Sequence, residues 1–319
     1  MPEADPVFEE QRPRLARLAY RMLGTLADAD DVLQDAYLRW SRGDRSGVES
    51  PGAYLSSVVT RLCIDRRQSI EARKEAYVGP WLPEPIVEPD EAAPDRRLEA
   101  AESISMAFLV VLESLSPIER AAYLLRRAFD HGYDEIASIL GRSEAACRQL
   151  VSRAEGRILE RRPRFEADPA EAERLTGAFL GACSTGDMDG LLRLLAPDAV
   201  VVSDGGGKAS AALAPIRGAD RVARFFLGVT RKAPPEMAFR RVLVNGRPGL
   251  AAVLGGEVFH VLTFDVDDGR IAACFIIRNP DKLARVHLGD GQGWGGGTPD
   301  VDVDEVARDP GISGFQGPG

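Results

Sequence analysis

The chain has 319 residues, 45% of them hydrophobic and 28% charged, and carries a net charge of −9. These proportions fit an ordinary globular protein of two or three domains, and the acidity excludes indiscriminate coating of nucleic acid while leaving room for local basic surfaces. No apolar run is long enough to cross a bilayer, and four scattered cysteines without a CxxC pair, with only three histidines, point away from a disulfide framework or a zinc site; no cofactor is expected.

The opening "MPEADPVFEEQRPR" is acidic without an apolar core, so no secretory signal and a cytoplasmic location are expected. Leu15, Leu18, Ala19, Met22 and Leu23 follow helical spacing, and Gly24 ends that helix. Asp28 is placed to cap the next, whose Val32, Leu33, Ala36, Tyr37 and Trp40 share a face. Ser50-Pro51 opens a third helix. Residues 77–95 break the pattern as a proline-rich connector, "YVGPWLPEP", followed by acidic chain. Residues 96–115 read as helical, and "SPIE" at 116–119 is a capping box that opens a helix through Phe129. A short helix, a turn at Gly141 and a longer helix capped by Ser143 then have helix-turn-helix spacing.

From 163 the character changes. Helices around 170–185 and 187–195 precede a strand and the glycine hinge "DGGGK" at 204–208. A helix over 218–229 and strands joined by Asn-Gly and Asp-Gly turns follow, which indicates an α+β domain to about 285. The Gly-rich acidic stretch 286–319 reads as loosely held.

The second helix of the helix-turn-helix offers Arg148, Gln149, Ser152, Arg153 and Arg157 beyond its cap Ser143. Arg and Gln suit base edges in the major groove, and Ser and further Arg suit phosphates. A helical hairpin with a solvated basic face is the competing reading. Asp31, Gln34 and Asp35 form an acidic, amide-bearing face, whereas Arg61, Arg66, Arg67, Arg73 and Lys74 make the third helix basic. Either face is also compatible with simple solvation.

The order of these parts resembles the extracytoplasmic-function (ECF) sigma factors of bacterial RNA polymerase. "ADADDVLQDAYLRW" is similar to the segment that docks on the β′ clamp helices, which implies polymerase contacts for Asp31, Gln34 and Asp35. "YLSSVVTRLCIDRRQS" is similar to the −10 element reader, which implies that role for Arg61, Asp65, Arg66, Arg67, Arg73 and Lys74. Arg61 stands where many members carry Asn. "LSPIERAAYLLRRAFDHGYDEIASILGRSEAACRQLVSRAEGRI" resembles the −35 reader, which also implies a β flap contact. The implied fold is multidomain: two all-α sigma domains at 1–76 and 96–162, a linker at 77–95, and a C-terminal α+β domain at 163–285.

"YVGPWLPEP", "DGGGK" and "NPDKL" together resemble the ECF41-type members, whose C-terminal SnoaL-like domain, of NTF2 fold, regulates the sigma core in cis. That resemblance implies an interdomain contact between Trp81, Leu82, Pro83, Glu84 and Pro85 on one side and Asp204, Gly205, Gly206, Gly207, Lys208, Asn279, Pro280, Asp281, Lys282 and Leu283 on the other. The fold also hosts enzymes. Asp187, Asp204, His260 and Asp265 are the candidate pocket acids and bases, but no catalytic role is expected, and a small-ligand pocket is the better reading. The alternative to a sigma factor is a helix-turn-helix regulator carrying a ligand-sensing or enzymatic SnoaL-like domain.

Overall fold

The computed structural model describes residues 5–89, 104–161, 169–288 and 294–295. They form two compact units whose segments alternate along the chain: 1–76 with 108–162, and 77–107 with 163–319. Read from the sequence, 77–95 is a separate connector; by packing its described part, 77–89, goes with the α+β unit. Among the described residues no helix is long and apolar enough to cross a membrane.

The helical unit contains α1 (Pro6–Leu23), α2 (Leu26–Arg42), α3 (Pro51–Glu75), α4 (Met106–Leu112, which starts at the unit boundary), α5 (Pro117–Arg127), α6 (Tyr133–Leu140) and α7 (Glu144–Arg161). Asp5 caps α1, and Gly24, in the left-handed region at φ 76°, closes it on the Tyr20 carbonyl. The cap expected at Asp28 differs: Thr25 is the N-cap, and its hydroxyl donates to Asp28 Oδ2 at 2.6 Å. Asp28 therefore lies inside the first turn of α2, buried, where Arg66 and Arg73 also reach it. Burial raises its carboxyl, but Thr25, Arg66 and Arg73 outweigh that and hold it below its usual value. The Ser116–Glu119 capping box forms in full. The helix expected over 96–115 is shorter where it is described, since 104–105 precede it and 113–115 turn toward Ser116; residues 96–103 lie outside the described residues.

A buried charge cluster ties three parts of this unit together. Glu113, just after α4, accepts from Arg67 of α3 at 3.1 and 3.2 Å and from Arg120 of α5 at 2.8 Å, and it also pairs with Lys74. Arg67 and Arg120 are at most 1% exposed. Burial pushes the Glu113 carboxyl up, but Arg120, Arg67 and Lys74 prevail and hold it well below the usual range. Burial brings the Lys74 ammonium down to about 8 against the pull of Glu113. Arg67 and Lys74, expected on a nucleic-acid face, thus point inward, because a buried carboxylate demands cations around it.

The α+β unit carries α8 (Pro169–Thr185), α9 (Met188–Leu194), α10 (Ala219–Arg231) and α11 (Pro280–Leu283). Its strands are β1 (Val87–Pro89), β2 (Leu195–Asp204), β3 (Ile216–Arg217), β4 (Ala238–Val244), β5 (Arg247–Leu254), β6 (Glu257–Asp267), β7 (Arg270–Ile277) and β8 (Trp294–Gly295). The order across the sheet is β1-β4-β5-β6-β7-β2-β3, with β8 also on β4. Strands β4 to β7 are the expected meander. Asn245-Gly246 and Asp268-Gly269 supply the paired positive φ values that tight hairpins need. β2 runs parallel to β7, from Val200 beside Ala273 to Asp204 beside Ile277. This register brings the C-terminal ends of both strands together, so Arg278 N and Asn279 N donate to the Asp204 carbonyl at 2.7 and 2.9 Å. Helices α8 and α10 cover one sheet face around Phe179, which meets Phe226 and Phe264 edge-on at 4.7 and 4.9 Å. Of the stretch read as loosely held, 286–288 are described and Trp294-Gly295 pair with Phe239 and Ala238; 289–293 and 296–319 lie outside the described residues.

Glu113→Gln leaves Arg67 and Arg120 buried beside a neutral partner. The change should cost about 3–5 kcal/mol at neutral pH, the usual penalty for breaking a buried pair. The parent's folded carboxyl titrates below its ordinary value of 4.5, so its contribution is present above that pH and lost as pH falls into the acid range. Denaturant unfolding should therefore show a gap between parent and variant that narrows below about pH 4.5.

Candidate functional site

A dense polar arrangement of the α+β unit is built on Asp204, the last residue of β2 and fully buried. Its Oδ1 accepts from the Tyr77 hydroxyl at 2.6 Å; its Oδ2 accepts from Leu82 N at 2.8 Å and from Lys282 Nζ at 2.6 Å. Lys282, on α11, is also buried, and its ammonium donates to the Leu82 carbonyl at 2.5 Å. The same ammonium lies 3.5 Å from the centre of the Trp81 ring and 5.0 Å from that of Tyr77. Those two rings pack edge-on at 4.7 Å. A buried ion pair is tolerable only when every other bonding direction is filled, and here hydrogen bonds and two aromatic faces fill them. Asn279 Nδ2 donates to the Tyr77 hydroxyl at 2.7 Å. Burial, then the bond to Asp204, raises the Tyr77 phenol, which stays a donor.

The glycines of "DGGGK" are steric requirements. A Cβ on Gly205 would lie 2.1 Å from the Ala209 carbonyl oxygen. One on Gly206, at φ 61°, would lie 2.4 Å from Asn279 Nδ2 and 2.8 Å from the Tyr77 hydroxyl. Gly207 and Lys208 are exposed at the tip, where Lys208 pairs with the equally exposed Asp281 at 2.6 Å. Pro280 is exposed; Leu283 is buried.

The connector continues into the sheet. Leu82, Pro83, Glu84 and Pro85 are all buried. Ile86 N donates to Asn245 Oδ1 at 3.2 Å, and Asn245 N returns a bond to the Ile86 carbonyl at 2.7 Å. Residues 87–89 then pair antiparallel with 242–244. The structure thus brings Trp81, Leu82, Asp204, Asn279 and Lys282 together and leaves Lys208, Pro280 and Asp281 at the rim. Sequence reasoning missed Tyr77 and Asn245. Tyr77 opens the same odd motif, and Asn245 is the first residue of a recognised turn.

Between one sheet face and helices α8 and α10 lies a cavity of about 1030 Å³, lined by phenylalanines together with Ser203, His260 and Arg278. The Arg278 guanidinium sits 4.5 Å from the Phe259 ring centre and donates to the Ser210 carbonyl at 2.5 Å. Burial, then Arg278, brings the His260 imidazole down to about 3, so it is neutral. The other candidate acids are elsewhere: Asp187 caps α9 through Gly190 N, and Asp265 is not among the lining residues. Among the described residues no group of His, Cys, Asp or Glu is placed to hold a metal ion.

In the helical unit, α6, Gly141 at φ 62° and α7 make the helix-turn-helix on a core of Ile136, Ile139, Cys147 and Val151. Burying Cys147 and Val151 turns Ser143, Arg148, Gln149, Ser152, Arg153 and Arg157 outward, all exposed. Ser143 caps α7 through Ala146 N. Arg148 lies 4.8 Å over Tyr133, and Arg157 pairs with Glu119 at 2.6 Å. On α2, Asp31, Gln34 and Asp35 are exposed together. On α3, Asp65 and Arg73 are exposed, Arg66 binds Asp28 and Asp31, and Arg61 donates to the Ser138 and Ile139 carbonyls at the end of α6.

Residues 7–73 match the family model for Sigma-70 region 2, and residues 105–158 match that for Sigma-70, region 4. The ECF RNA polymerase sigma factor SigJ of Mycobacterium tuberculosis (strain ATCC 25618 / H37Rv) is 39% identical, over 86% of this chain and 92% of its own length. The probable ECF RNA polymerase sigma factor SigI of Mycobacterium tuberculosis (strain CDC 1551 / Oshkosh) is 30% identical, over 91% of this chain and 100% of its own. The crystal structure of Mycobacterium tuberculosis SigJ superposes with a TM-score of 0.70 at 37% identity, covering 87% of this chain and 97% of that one.

Asp204→Asn and Lys208→Glu separate the buried pair from the exposed one. The first leaves the Lys282 ammonium buried beside a neutral side chain and should weaken the hold on 77–89 by about 3–5 kcal/mol. The second breaks a solvated pair and should cost under about 1 kcal/mol. Amide hydrogen exchange at 78–88 should accelerate strongly in Asp204→Asn and hardly change in Lys208→Glu.

Proposed function

The chain belongs to the ECF RNA polymerase sigma factors, and we propose that its α+β unit controls promoter engagement by holding residues 77–89 through the Asp204–Lys282 pair. As a sigma factor it binds core polymerase and promoter DNA. The observation that carries the finer reading is the capture of the linker backbone itself: Leu82 N and O are both bound within the clamp. Roughly thirty residues join α3 to α4, a reach of at most roughly 100 Å when extended. Holding the first thirteen or so fixes the span of that part and leaves only the remainder free to extend, so the clamp limits how far the −10 and −35 readers separate.

In this reading Asp31, Gln34 and Asp35 meet the β′ clamp helices. Arg148, Gln149, Ser152, Arg153 and Arg157 meet the −35 duplex beside the β flap, with Ser143 at the helix start. Arg61, Asp65, Arg66 and Arg73 face the −10 strand. Arg67 and Lys74 are left out of that set, because their side chains are turned away from solvent against Glu113, whereas those of Arg66 and Arg73 stay partly exposed while paired with Asp28. No chemistry is assigned to the α+β unit: Asp204 serves the clamp, Asp187 a helix cap, and His260 has no acid partner among the described lining residues. A small molecule in the cavity is part of the reading, as a signal and not as a substrate.

Two measurements test it. Asp31→Arg with Asp35→Arg should weaken core binding by several kcal/mol through like-charge repulsion at a basic partner, read by competition for core polymerase; unchanged affinity removes the acidic face from the interface. Trp81→Ala should widen the range of −35 to −10 spacings transcribed in vitro by the reconstituted holoenzyme. A spacing profile identical to the parent's would refute linker control.

A further inference from the structure

We propose that the cavity of the α+β unit takes an apolar monocarboxylate whose anion lies against Arg278, and that its binding loosens the hold on residues 77–89. The second clause rests on the linker-control reading; the first does not.

The chemistry of the ligand follows from the walls. A cavity of about 1030 Å³ is at the upper end of what holds a drug-sized ligand. Five phenylalanines line it, and no Asp or Glu is among its described lining residues, while three arginines are. Arg241 is paired with Glu173, and Arg231 donates to the Leu227 carbonyl of its own helix. Arg278 is set differently. Its guanidinium is laid on the Phe259 ring and turned to a backbone carbonyl, Ser210 O. A carboxylate is a better acceptor for that fork than a neutral carbonyl. His260, next to it in the lining and neutral, adds a polar atom without adding charge. Apolar walls with one inner cationic fork select a molecule that is greasy along its length and anionic at one end.

The consequence for the linker follows from connectivity. Arg278 is the residue between β7 and the clamp residue Asn279, and its own N–H holds the Asp204 carbonyl. Ser210, its present acceptor, directly follows the turn that Lys208 N and Ala209 N close on the Gly205 carbonyl. Ser203, which lines the cavity, is the residue before Asp204. A ligand that draws the guanidinium away from Ser210 O therefore acts on both segments that grip Tyr77 and Leu82.

The experiment uses the full chain and three ten-carbon probes: decanoate, decanol and decylamine. By calorimetry decanoate should bind at least tenfold more tightly than decanol, and decylamine more weakly than either. It should also raise the thermal midpoint, which a detergent effect would lower. Arg278→Gln should abolish the preference for decanoate over decanol; Phe226→Trp, which fills the cavity and keeps Arg278, should weaken all binding. Hydrogen exchange at 78–88 should accelerate several-fold with saturating decanoate. Equal binding of decanoate and decanol, no binding of either, or a preference that survives Arg278→Gln would overturn the ligand assignment. Decanoate binding with unchanged exchange at 78–88 would overturn the coupling. Asp204→Asn, measured without any probe, isolates linker control: if it accelerates exchange and alters the spacing profile, that reading stands whatever the probes do.

Discussion

The buried contact between the Lys282 ammonium and the Asp204 carboxylate organises the α+β unit's functional end. Two opposite charges removed from water are costly unless their remaining bonding capacity is met. Here it is met by a connector that is distant in sequence: the Tyr77 hydroxyl, both backbone groups of Leu82 and the ring faces of Tyr77 and Trp81. Without the connector, the pair would keep one bond and lose most of its compensation. The ion pair and the linker are therefore complementary by necessity, and this is the reason a proline-framed Trp occurs in a chain segment that looks like a spacer.

The helical unit uses the same device. Glu113 gathers Arg67 and Lys74 from α3 and Arg120 from α5 into a largely buried cluster, as Asp204 gathers Tyr77, Leu82 and Lys282 in the other unit. In each case a single carboxylate is the hub and partners come from remote chain. Such hubs specify one arrangement, since a displaced partner leaves a buried charge behind. Exposed pairs such as Lys208–Asp281 or Arg148–Glu144 impose no such condition.

Elements governed by local rules were legible in the sequence. The Ser116–Glu119 box, the Gly24 and Gly141 stops, and the Asn-Gly and Asp-Gly hairpins act over a few residues and appear where the pattern put them. The helix start at Thr25 was read three residues late because Thr and Asp are both good caps; the Thr25 hydroxyl donates to Asp28 and caps no backbone N–H. The motif around Trp81 stood out from its surroundings, and those around Asp204 and Lys282 were marked by the resemblance to the ECF41-type members. Their bonding was not, because it depends on the parallel pairing of β2 with β7, which no local signal encodes. The inward turn of Arg67 was hidden for a similar reason: its partner Glu113 lies 46 residues away.

The short strand at 87–89 has a consequence for the molecule's behaviour in concentrated solution. It covers Val242, Leu243 and Val244 at the edge of β4, and it ends in Pro89, a residue with no N–H to offer a further strand. While the linker is held, this part of the sheet has a proline-terminated border that resists extension. Were it to leave, the backbone edge of Val242, Leu243 and Val244 would be bared, open to a strand from a neighbouring copy. Under the proposed release of the linker, baring this edge and pairing with another copy would be one event viewed at two scales.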